Sequence, residues 1–86
     1  MRQPFIPSTK AQSRPASIEE VKALMQPTSN PRFAMECERF IALFSLGDEV
    51  AEFCASIQDW RTGAGREGFN LLRDGSVVAE LLTKMS

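Results

Sequence analysis

Gly63, Gly65 and Gly68 spell G-x-G-x-x-G, with Arg61 and Arg66 beside them. Glycines at that spacing let backbone amides approach a pyrophosphate, provided that the motif follows a strand and opens a helix. Here a helical pattern ending at Trp60 precedes it, and a kinase-type glycine loop would need two flanking strands and a distant Lys, Asp and Asn set. Helix termination followed by a connection accounts for these glycines. Arg61, Gly63, Gly65, Arg66 and Gly68 stand as the candidate phosphate or nucleotide site.

The rest of the chemistry is defined by what is missing. The chain has no His and no Tyr, which removes the commonest general acid–base side chain and every His-based metal site. Two cysteines cannot build a Cys₄ centre, so neither a metal nor a cofactor is expected. Cys37 and Cys54 lie among Phe, Ile and Val, as expected of buried thiols in a reducing compartment, and bridging them would need Cα atoms within about 7 Å. Glu36 with Glu38, and Glu49 with Glu52, are predicted to face water, where carboxylates make poor proton shuttles at neutral pH. The chain is therefore expected not to be an enzyme.

Three cations, Arg2, Lys10 and Arg14, precede the first acidic residue, so the remainder carries −4 of a net charge of −1. They define a candidate nucleic-acid contact on the N-terminal arm. The acidic body and the absence of Lys and Arg from residues 49–60 oppose it.

With 86 residues, 43% of them hydrophobic, the chain fits one small domain whose core is marginal. Residues 1–16, with Pro4, Pro7 and Pro15, read as an extended arm bearing Phe5 and Ile6 as an apolar plug. Residues 17–86 read as the domain. Ser17-Ile18-Glu19-Glu20 is a capping box opening a helix over about 18–26, with Val21, Leu24 and Met25 on its apolar face and Pro27 as its stop. Asn30-Pro31 opens a second helix over about 31–45, and Asp48 a third over about 49–61.

Val50, Phe53, Cys54, Ile57 and Trp60 repeat the 3.6-residue spacing of Phe33, Cys37, Phe40 and Phe44. This predicts an antiparallel helical hairpin that sets Phe40 against Phe53 and Phe33 against Trp60. Asp74-Gly75, between apolar runs, predicts a β-hairpin over about 69–81. The competing reading is a C-terminal helix carrying Val78, Leu81, Leu82 and Met85, which would make the chain all-α. The preferred class is α+β.

No signal sequence is visible, and the apolar run 40–44 is too short to span a bilayer, so the cytoplasm is the expected compartment. A marginal core, an apolar-tipped arm and a short amphipathic helix together predict a non-enzymatic interaction protein, an accessory subunit or inhibitor. It would bind a larger protein or a second copy of itself. Phe5, Ile6, Val21, Leu24 and Met25 are the candidate partner contacts.

Overall fold

A computed structural model of the chain describes residues 4–26 and 29–85; Arg2 and Pro27, which figure in the sequence reading, lie outside them. The described residues form an α+β fold of three helices and one four-stranded antiparallel sheet. In chain order the elements are β1 (Gln12–Ala16), α1 (Ile18–Leu24), α2 (Pro31–Leu43), β2 (Glu49–Cys54), α3 (Ile57–Arg61), β3 (Arg66–Arg73) and β4 (Ser76–Met85). The strands lie side by side in that order.

The helix starts follow their caps. Ser17 Oγ accepts from the Glu20 amide at 3.3 Å, and Asn30 Oδ1 accepts from the amides of Arg32 and Phe33 at 3.0 and 3.3 Å. Each satisfies amides that have no intrahelical acceptor. Asp74 and Gly75 both have positive φ, at 53° and 80°, as a two-residue type I′ hairpin turn requires. The C-terminal hairpin therefore forms, and it runs from Arg66 to Met85, longer than the expected 69–81 at both ends. The all-α alternative is ruled out by the same ladder.

The helix expected over 49–61 does not form. Glu49–Cys54 is strand β2, paired with β1 on one side and β3 on the other, and only Ile57–Arg61 is helical, capped afresh by Ser56 Oγ on the Asp59 amide at 3.2 Å. Val, Phe and Cys suit a pleated surface, and an interior strand satisfies its backbone on both edges. The spacing that looked helical instead divides between two faces. Val50 and Cys54 are buried on the helix side, whereas Phe53 pairs with Gly68 on the opposite side. Phe40 and Phe53 therefore lie on opposite faces of the sheet, and the expected aromatic ladder is absent from the described residues.

The core lies between α1, α2 and one face of the sheet. Val21, Cys37, Phe40, Val50, Phe69, Leu71 and Leu81 make one buried cluster. The cross-strand rows Val50, Leu71, Ala79 and Glu52, Phe69, Leu81 follow from the register. The last five residues of the predicted arm are β1, and the preceding stretch folds back on it. Gln12 Nε2 donates to the Ile6 carbonyl at 2.7 Å, and the Ile57 amide donates to the Ser8 carbonyl at 2.8 Å.

Arg73, at the end of β3, fastens the hairpin to the α2–β2 connection. Its Nε and Nη2 donate to Asp48 Oδ1 and Oδ2 at 3.0 and 2.8 Å, and Nη2 also reaches the Leu43 carbonyl at 2.9 Å. This bidentate pair, with the Ser45 amide donating to Asp48 Oδ2 at 2.9 Å, holds the Asp48 carboxyl below its ordinary range and raises Arg73. Because the folded value is depressed, the stabilisation is complete above the unfolded carboxyl pKa of about 3.9 and is lost as pH falls through the folded value. Urea midpoints measured against pH should fall more steeply below about pH 4 in the native chain than in Arg73→Met. Parallel acid limbs would show that the pair does not stabilise the fold.

Candidate functional site

The residues singled out in the sequence do not converge. Val21 is wholly buried, and Leu24 and Met25 pack partly buried against the core. Phe5 lies over the Arg14 guanidinium, 4.0 Å from ring centroid to Cζ, and Arg14 in turn pairs with Glu52 at 2.9 Å. Of the five candidate partner contacts, Ile6 is the one with most of its surface in solvent, 80% exposed. Arg14 is thus part of an internal pair and Lys10 stands apart on an exposed stretch, so the basic residues of the described arm form no shared patch.

The glycine-rich loop is also dispersed. Gly63 follows the end of α3 with φ 85°, the left-handed conformation that terminates a helix. Gly65 is buried under the Trp60 indole, and Gly68 sits within β3 against the Leu81 carbonyl. The Thr62 and Ala64 amides already donate to the Gln58 and Asp59 carbonyls at 3.0 and 2.9 Å. Arg61 is exposed at the end of α3, and Arg66 reaches Glu80 at 3.9 Å. The loop follows a helix and opens a strand, the reverse of the order that cradles a pyrophosphate.

Both cysteines are free thiols. Burial raises both above the ordinary value, with Glu36 adding to the effect at Cys37, so both stay protonated and weakly nucleophilic near neutral pH. Among the described residues no group of three or more Cys, Asp or Glu side chains is placed to hold a metal.

The feature that sequence reasoning missed is the second face of the sheet. Side chains alternate along a strand, so the rows Glu49, Leu72, Val77; Ala51, Asn70, Glu80; and Phe53, Gly68, Leu82 point away from α1 and α2. Neither of those helices covers them. Val77 and Val78 are 56% and 44% exposed, and Phe53, Leu72 and Leu82 are half-buried. A cavity of about 530 Å³ opens where Pro15, Ala51 and Leu72 meet. Asn70, in the middle, has a shielded side-chain oxygen with no hydrogen-bond donor among the described residues.

The face's charges stand at its margins, with Glu49 and Arg66 at strand ends and Glu80 on the outermost strand. A largely apolar face with its charges at the margins resembles the anatomy of a contact surface. Reading 49–61 as helix concealed it, because the face exists only once β2 lies beside β3.

No family model matches the chain, and no characterised protein or solved structure matches it either. No described helix is long and apolar enough to cross a membrane.

Proposed function

We propose that this chain is a small non-enzymatic interaction module, an accessory subunit or inhibitor, that binds a protein partner through the sheet face opposite α1 and α2. The observation that carries this reading is the row of Phe53, Leu72, Val77, Val78 and Leu82 on a sheet covered by helices on its other side. An apolar sheet face is ordinarily buried against a second layer. The non-enzymatic part rests on residue chemistry: no His, no Tyr, and two thiols that burial keeps protonated.

The test compares immobilised full-length chain with Val78→Glu and with Met35→Glu, an exposed α2 position, as baits in lysate of the host cell. A protein retained by the native bait and by Met35→Glu, but lost with Val78→Glu, is the expected result. Identical retention by all three would remove the sheet face from the interaction. The phosphate and nucleic-acid readings acquire no comparable observation, since the loop amides of Thr62 and Ala64 are engaged and Arg14 is paired.

A further inference from the structure

We propose that the occupant of the outer sheet face is a second copy of this chain, forming a two-fold sandwich of two sheets with the helices outside. The inference rests on the reading of that face as an interaction surface. Three observations favour a copy of the same chain.

The first is that the sheet discourages growth at its edges while leaving its face apolar. On β1, Pro15 offers no N–H, and the preceding segment folds back through the bond from Gln12 to Ile6. On β4, the ladder with β3 shifts register twice, at Glu67/Gly68 and Leu71/Leu72, and the strand carries Glu80 and Lys84. Proline, bulges and charges are the usual defences against strand addition. Edge-to-edge assembly is therefore opposed, and association through the face remains.

The second is shape. An axis parallel to the strands, midway between β2 and β3, lays β4 of one copy over β1 of the other, and β3 over β2, at the same height. Val77 stands level with Leu72 and Glu49 in the ladder. That operation brings the protruding Val77 and Val78 to the β1 side of the hollow lined by Pro15, Ala51 and Leu72. The relation is reciprocal, as an isologous interface requires. Face-to-face sheets pack about 10 Å apart, within reach of a valine set into a hollow.

The third is area and charge. Strands of 5, 6, 8 and 10 residues, at about 3.3 Å per residue and about 4.8 Å apart, make a face about 24 Å long and about 19 Å wide. Its footprint of about 450 Å², enlarged by side-chain relief, approaches the roughly 600 Å² per partner at the lower end of stable interfaces. A net charge of −1 puts little repulsion between two copies, and the face's charges are marginal.

Sedimentation equilibrium of the full chain from micromolar to submillimolar concentration tests this. The native chain and Met35→Glu should approach twice 9.6 kDa with a concentration-dependent melting temperature. Val78→Glu should dissociate at least about a hundredfold more readily, because it would bury a carboxylate without a partner. Circular dichroism checks that each variant folds, and Val77→Lys replaces Val78→Glu if that variant does not. A native chain that stays at 9.6 kDa throughout, or a dimer unaffected by the valine variants, overturns the proposal. A monomer whose lysate partner is still lost with Val78→Glu would overturn the second copy alone and leave the interaction face standing.

Discussion

Leu71→Ala should leave the chain barely folded, with a thermal midpoint lowered by at least about 10 °C. Leu71 has no exposed surface, occupies the interior strand β3, and pairs with Val50 on one side and Ala79 on the other. It belongs to the cluster that α2 closes with Cys37 and Phe40 and α1 with Val21. Truncating a fully buried leucine costs about 2–5 kcal/mol, the lost transfer energy plus a cavity term. At roughly 0.05–0.15 kcal/mol per residue, a chain of this length has only about 4–13 kcal/mol in total.

Each kcal/mol corresponds to about 4–8 °C in a domain of this size. Leu71→Met keeps the volume and should cost less than about 1.5 kcal/mol. Thermal melts by circular dichroism compare the two. A Leu71→Ala midpoint within a few degrees of the native one would mean that β3 is not the centre of the core. If the sheet faces of two copies also pack together, the native midpoint rises with concentration, so all three proteins are compared at one dilute concentration.

The capping and turn signals at Ser17, Asn30 and Asp74-Gly75 survived, and the 3.6-residue spacing held in α1 and α2 but failed over 49–54. Ser17, Asn30 and Asp74-Gly75 each act through a hydrogen bond or a backbone angle set by a few neighbours, and each sits in the structure as its chemistry predicts. The spacing of Val50, Phe53 and Cys54 had only Asp48 as a candidate cap, and Arg73 holds that carboxylate instead. A short apolar segment buried on one face and half-buried on the other alternates too weakly to read as a strand, and its intervals match a helix equally well. Whether it folds as strand is decided by β1 and β3, which lie 38 and 17 positions away at the Arg14–Glu52 and Glu52–Phe69 pairings.

The site suffered the same fate. Phe53 belongs to a core ladder in the sequence reading, and the hairpin over 69–81 holds Val78 without fixing which face it takes, so the outer face could not be assembled from local pattern. Val21 was legible as apolar, but whether it meets a partner or its own α2 depends on that same distant pairing. Asp48 was read as a helix cap and is instead the acceptor of Arg73, a side chain 25 residues away.

The glycine triplet allows the structural and phosphate accounts to be separated in one experiment. A methyl at Gly68 would collide with the Leu81 carbonyl across the ladder, and a methyl at Gly65 with the Trp60 ring. The first obstacle is backbone held between strands, so Gly68→Ala must force β3 and β4 apart next to the register shift at Glu67/Gly68. Overpacking of this kind costs about 1–3 kcal/mol, or more where the backbone cannot yield. Gly65→Ala meets a side chain that can swing away, with a change in Trp60 fluorescence as its signature. Gly63→Ala meets nothing within 4 Å but keeps φ at 85°, which costs about 1 kcal/mol in left-handed strain.

The expected order of thermal midpoints is therefore Gly68→Ala lowest, with Gly63→Ala closest to the native chain, and no midpoint should respond to millimolar phosphate. A phosphate-binding loop predicts a different pattern: the native midpoint would rise with phosphate by mass action, and any glycine that lets its amides approach the anion would lose that rise when given a side chain. Ligand stabilisation of the native chain that Gly63→Ala abolishes would restore the loop as a site. Its absence, with the midpoint order intact, assigns the three glycines to a helix end, an indole contact and a strand crossing point.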